Sequence, residues 1–272
     1  RILVGKLQAA SVTLLLYLSA MAPFSTFAYL LRGVTPTMVV IGVLLTAVVG
    51  VTAINLVLFV VTLLPRKQGE AAAMLGCIAG CIVLCAYGIE IMDNIDTSVV
   101  LPRNLWIAIG MATLGFVPLN AIVFSCTAAR VSFASANKET VPRLALLSMN
   151  VFIVATAFVV WSESGEEELA VSLSTTGLVW WGIAGFFVLA VPDSVSPRVK
   201  NTFPRFAPLG LFLWPGRGRA YPFYLANVVL FCVPALSVFW HTGWHYIDPD
   251  VVTGFAVTAL YVSFFPALPA AV

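Results

Sequence analysis

The sequence predicts an all-α fold, a polytopic integral membrane helical bundle of about eight transmembrane helices with both termini cytoplasmic. Three observations predict it. Hydrophobic residues make up 61% of the chain and charged residues 10%, at a mean hydropathy of +1.01, too little charge to cover a soluble domain of 272 residues. The apolar residues fall in runs of 18 to 27, and a hydrocarbon core of roughly 30 Å takes about 20 residues as helix. Lys and Arg, finally, sit on alternate connections between those runs.

The eight runs, in order, are Gln8–Leu31, Met38–Leu64, Ala71–Met92, Leu105–Ala128, Leu144–Trp161, Leu169–Val191, Phe223–Trp240 and Val251–Leu268. Helix is the expected state of each, because backbone groups in lipid must be satisfied within the segment or in a closed barrel. The period-2 alternation of a barrel strand is absent. The third run carries Gly76, Gly80 and Gly88 on one i+4 ladder, with Cys77, Cys81 and Cys85 one position further round. Small residues at that spacing let helix backbones approach, so the ladder reads as a packing face rather than a thiolate metal site. Pro23, Pro118 and Pro234 fall within runs, where each removes a backbone hydrogen bond and permits a kink. Ser25, Thr26, Asn120 and Ser237 stand close enough to satisfy the freed carbonyls.

With the N-terminus inside, twelve of the fourteen basic residues fall on cytoplasmic segments: Arg1, Lys6, Arg66, Lys67, Arg130, Lys138, Arg143, Arg198, Lys200, Arg205, Arg217 and Arg219. Only Arg32 and Arg103 fall outside. Nine of the twelve acids lie at the outer side: Glu90, Asp93, Asp96, Glu163, Glu166, Glu167, Glu168, Asp248 and Asp250. One inside connection is long, Pro192 to Pro222, and it mixes five of those basic residues with Phe203, Phe206, Phe212, Trp214 and Tyr221, a composition suited to lipid headgroups.

Chemistry-bearing residues are sparse. The two histidines, His241 and His245, sit in HTGWH at the outer end of the seventh run and read as interfacial anchors beside Trp240 and Trp244. Ionisable groups at depth, which proton relays and ion-coupled transport use, reduce to Glu90 near the outer boundary. There is no GxxxxGK[ST] phosphate loop, GxSxG or HExxH. No metal, cofactor or nucleic acid is expected, and no catalytic residue.

The opening RILVGKLQAASVTLLLYLSAMAPFSTFAYLLRG resembles the permease of a type-2 ABC transporter of the export-type family. In such permeases a cytoplasmic coupling segment ends in a phrase like ILxGKL, and the next span carries an APF element and closes near LLRG. Ile2 to Leu7, Ala22-Pro23-Phe24 and Leu30 to Gly33 match. The later PGRGRAYPFYLAN, Pro215 to Asn227, is similar to a basic glycine-containing turn before a late span in some bacterial members.

The resemblance implies a transport subunit in the bacterial inner (plasma) membrane, partnered by a cytosolic ATP-binding subunit and a second permease copy, in a homo- or heterodimer. It implies coupling contacts at Arg1, Lys6, Arg66 and Lys67, with the basic residues Arg198, Lys200, Arg205, Arg217 and Arg219 secondary. It also implies that residues 1–272 form a single transmembrane domain, a piece lacking an upstream elbow helix and first span. Eight runs exceed the six spans usual in the family. The alternatives are a non-catalytic membrane subunit of a larger complex, a secondary transporter, and an intramembrane enzyme or quinone-binding subunit. The last should show paired His, Asp or Glu at depth, and the sequence has none.

Overall fold

A computed structural model describes residues 2–32, 36–63, 103–132, 138–165, 167–189, 217–242 and 248–264. Among these every element is helical and no strand occurs. The helices are α1 (Ile2–Arg32), α2 (Pro36–Leu63), α3 (Arg103–Val131), α4 (Thr140–Ser164), α5 (Glu167–Leu189), α6 (Arg217–Thr242) and α7 (Pro249–Phe264). Seven of the eight apolar runs therefore coincide with helices, whose described bounds differ from the runs by a few residues. The third run, with Gly76, Gly80 and Gly88, lies outside the described residues.

Five of these helices, α1, α2, α3, α4 and α6, are long and apolar enough to cross a membrane, and α7 is a shorter apolar helix. The chain is thus an integral membrane protein by the length and composition of its helices. Hydroxyl groups within them are satisfied locally: Thr13, Thr46, Thr127, Thr156 and Ser174 each donate to the carbonyl four residues back. Such bonds hide a polar side chain from lipid without any second helix. The carbonyls freed by proline are not what these side chains reach. Thr26 donates to Ala22, Asn120 to Phe116 and Ser237 to Val233. The carbonyls that Pro23, Pro118 and Pro234 leave without an intrahelical donor belong to Ser19, Leu114 and Leu230, four residues before each proline.

The chain divides into two compact units, Arg1–Val131 and Ser132–Val272. In the first, α2 packs on both α1 and α3. α1 has 31 residues and, at 1.5 Å per residue, runs about 46 Å. Lys6 and Arg32 are about 39 Å apart along it, so both clear a hydrocarbon core of about 30 Å. Its apolar side chains face outward, Leu16 at 65% and Phe24 at 71% exposure, as in a helix solvated by lipid. Only a narrow stripe docks on α2, where Leu14 lies over Gly50.

In the second unit α5 and α6 form the centre, with α4 and α7 packed on both. α4 stops at Gly165, whose positive φ of 67° lets its N–H cap the Trp161 carbonyl at 3.0 Å. α5 opens with Glu167 and Glu168 in its first turn, where carboxylates complement the helix dipole. α7 starts with Pro249 at its first position, and Asp248 caps it by accepting the Asp250 N–H at Oδ1, 2.9 Å. Contacts along this unit fix helix direction. Ile153 meets Gly177, Phe231 meets Gly177 and Tyr224 meets Gly185, so α5 runs antiparallel to α4 and α6. Phe239 meets Phe255 and Tyr224 reaches Val262, so α7 runs antiparallel to α6.

That arrangement sorts the charges. The starts of α4 and α6, with Lys138, Arg143, Arg217 and Arg219, share one end of the unit. The α4–α5 turn and the start of α7, with Glu163, Glu167, Glu168, Asp248 and Asp250, share the other. Arg143 is 2% exposed and is held by Glu139 at 2.8 Å, the one acid at the basic end among the described residues.

Candidate functional site

The side chains that distinguish this bundle from a greasy one are neutral. In the first unit Thr52 and Asn55 of α2 face Asn120 of α3. Asn55 Nδ2 donates to Asn120 Oδ1 at 2.5 Å, and Asn120 Nδ2 donates to Thr52 Oγ1 at 2.7 Å and to the Phe116 carbonyl at 2.8 Å. Thr52 passes its own proton to the Val48 carbonyl at 2.9 Å. With both Asn120 donors committed, its oxygen must accept, so the direction of the chain of bonds follows from the backbone.

The second unit repeats the device between α4 and α6. Asn150 Nδ2 donates to Asn227 Oδ1 at 2.8 Å, and Asn227 Nδ2 donates to the Phe223 carbonyl at 2.8 Å. Both residues are fully enclosed, at 0% and 1% exposure. Asn150 Oδ1 has no partner, and neither does the indole nitrogen of Trp180 on α5. From the Ile153–Gly177 contact, three residues along each antiparallel helix bring Asn150 and Trp180 to the same depth. A buried acceptor and a buried donor thus stand unpaired at one level of the bundle.

Beside the amides lies an aromatic layer. Trp181 stacks on Tyr224 at 5.7 Å and 23°, and meets Phe223 edge-on at 5.8 Å. Trp181 Nε1 donates to the Tyr224 carbonyl at 3.0 Å, and the Tyr224 hydroxyl donates to the Val262 carbonyl of α7 at 2.7 Å. One tyrosine therefore ties α5, α6 and α7 together. Its ring lies directly on Gly185, where a Cβ would overlap Cε2 and Cδ2, and Phe231 lies on Gly177, where a Cβ would come within 2.5 Å of Cε1. Glycine is required at both places by close approach.

The sequence-predicted site residues fare differently. Lys6 is exposed in the second turn of α1, continuous with the span that follows. Arg217 and Arg219 lie in the first turn of α6. Arg1, Arg66, Lys67, Arg198, Lys200 and Arg205 lie outside the described residues. His241 is exposed at the acidic end and meets Trp161 edge-on at 5.8 Å and 74°. Trp244 and His245 lie outside the described residues. Among the described residues no three His, Cys, Asp or Glu side chains converge as a metal set. Sequence reasoning passed over Thr52, Asn55, Asn150 and Asn227. The signal was an amide inside an apolar run, which in lipid must find a partner. Gly177 and Gly185, eight residues apart with Trp181 midway, gave a second signal of the same kind.

The geometry defines a class: an α-helical integral membrane protein held by neutral amide clamps, with the charge of the described residues near helix ends. No known family, curated protein or solved structure matches the chain.

Proposed function

We propose that the chain is the transmembrane permease subunit of an export-type ABC transporter, working with a second permease copy and a separate cytosolic ATP-binding subunit. The observation that carries this reading is the opening phrase Ile2 to Leu7 leading into a span with Ala22-Pro23-Phe24 and closing at Leu30 to Gly33. That α1 continues from Ile2 to Arg32 as one helix supports it, since force applied near Lys6 would enter the span directly. The sorting of charge in the second unit supports it too. A basic end faces the cytosol under the positive-inside rule, where a motor subunit docks. Among the described residues the buried polar side chains are amides and hydroxyls, with Arg143 at the basic end and no carboxylate, which favours movement driven from outside the membrane over a proton relay within it. ATP-driven closure of the partner pushes on the cytoplasmic segments and tilts the spans.

Two measurements test this. Purification from native membranes is expected to recover a phosphate-loop ATPase in stoichiometric amount, and its absence would remove the transporter reading in favour of a static membrane subunit. In the recovered complex, Lys6→Glu should weaken ATPase association or its stimulation by at least about fivefold, the lower range of typical coupling energies. An unchanged complex would take the coupling contact away from the start of α1.

A further inference from the structure

At the acidic end of the second unit an open cleft of about 410 Å³ lies between α4 and α6. It is lined by Trp161, Val233, Leu236, Ser237, Trp240 and His241. Its floor and roof differ in chemistry. Val229, Val233, Leu236 and Trp240 follow one another at spacings of four, three and four residues, so they form a single stripe on α6. All four are exposed, Trp240 at 92%. The stripe is about 16 Å long, which is half of a 30 Å hydrocarbon core and so the depth of one leaflet. At its top, Trp161 and Trp240 offer indole rings, and His241 packs edge-on against Trp161.

The polar character of this end is one-sided. Ser237 gives its proton to the Val233 carbonyl at 2.7 Å and so presents only lone pairs to the cleft. The charged side chains at this end of the unit, among the described residues, are Glu163, Glu167, Glu168, Asp248 and Asp250, with no Lys or Arg. A headgroup carrying only negative charge would find no Lys or Arg at this end among the described residues and would be repelled by its acids. An ammonium in the cleft would lie beside two indoles at the acidic end of the unit, and indole π-systems attract cations.

We propose that this cleft binds a phospholipid with an ammonium-bearing headgroup, choline or ethanolamine, its ammonium against Trp161 and Trp240 and one acyl chain along the Val229–Trp240 stripe. The proposal rests on membrane embedding and on nothing about an ATPase partner, so it stands or falls apart from the transporter reading.

The test uses the full chain reconstituted in vesicles with spin-labelled phosphatidylcholine, phosphatidylethanolamine or phosphatidylglycerol of one acyl composition. The motionally restricted fraction should favour the two ammonium lipids over phosphatidylglycerol by about three- to fivefold, the size of an exposed cation–π contact. Trp240→Ala should bring the lipids to parity, and Trp240→Phe should retain part of the preference. Trp240 is almost wholly exposed, so its removal leaves the packing intact. Tyr17→Ala, an exposed aromatic on α1, should leave the preference unchanged. Equal restriction of all three lipids by the native chain, or an undiminished preference in Trp240→Ala, would overturn the proposal. Disulfide-linked dimers formed readily by Trp240→Cys in the same vesicles would do so as well, by giving the face to a second copy of the chain.

Discussion

Gly185→Ala is expected to destabilise the second unit by about 3 kcal/mol, the upper range for overpacking a well-filled interior. The added methyl would occupy the space of the Tyr224 ring. That ring cannot swing aside cheaply. Its hydroxyl is bonded to the Val262 carbonyl, its face is stacked on Trp181, and the carbonyl of the same residue accepts the Trp181 indole proton. Relief therefore requires α5 and α6 to separate or α7 to lose its tie. Gly254→Ala on α7 is the matched control, since a Cβ there meets nothing within 4 Å. It should leave stability unchanged or raise it by up to about 1 kcal/mol through helix propensity. SDS-induced unfolding in mixed micelles, followed by tryptophan fluorescence, measures both. If Gly185→Ala unfolds within about 0.5 kcal/mol of the native chain, Tyr224 does not lie on that glycine. Pairing Gly185→Ala with Tyr224→Leu should recover much of the loss, which separates a ring clash from a general effect on α5.

The parts of this protein that the sequence made legible are those governed by the solvent rather than by neighbouring helices. Lipid demands a long apolar helix and repels charge, so the runs at Gln8–Leu31 or Leu144–Trp161 can be read with no knowledge of contacts. Arg143 shows where that rule stops. It reads as one more cytoplasmic charge, yet it is buried, which only packing reveals, and it is held by Glu139 one turn earlier, a pairing that the i,i+4 spacing allows. The clamps were hidden for the same reason. Asn150 and Asn227 are 77 residues apart, and an isolated Asn in an apolar run announces that a partner exists without saying which. Asn120 is the instructive case. Its position two residues after Pro118 suggested repair of a local carbonyl, but its amide is shared between its own helix and Thr52, and its oxygen takes the Asn55 proton. Local spacing pointed to the carbonyl freed by Pro118, at Leu114, whereas the amide takes the Phe116 carbonyl and bridges to the neighbouring helix.

Asn227→Leu should cost about 2 kcal/mol, and the double change Asn150→Leu with Asn227→Leu should restore most of it. The expectation follows from how an amide behaves without water. Leucine is close to asparagine in size, so the single change makes little cavity; what it does is remove the acceptor for Asn150 Nδ2. Asn150 Oδ1 is already unpaired, so the whole Asn150 amide would then be buried without a hydrogen bond. Stranding a buried polar group costs about 1–3 kcal/mol, whereas replacing both partners by apolar groups of similar shape is nearly neutral. Interhelical bonds in membranes average about 0.6 kcal/mol in double-mutant cycles, so the native pair itself should contribute less than the stranded amide costs. The same SDS titration gives all three values. Equal losses in the single and double variants would mean that Asn227 matters through Phe223 on its own helix, and that α4 and α6 are not clamped. The outcome also bears on the proposed transport role. On the proposed reading, in which spans tilt, a clamp worth under about 1 kcal/mol would be weak enough to open. Under the proposed permease reading, a double leucine variant that is stable but impaired in transport would show that the amides serve movement rather than folding.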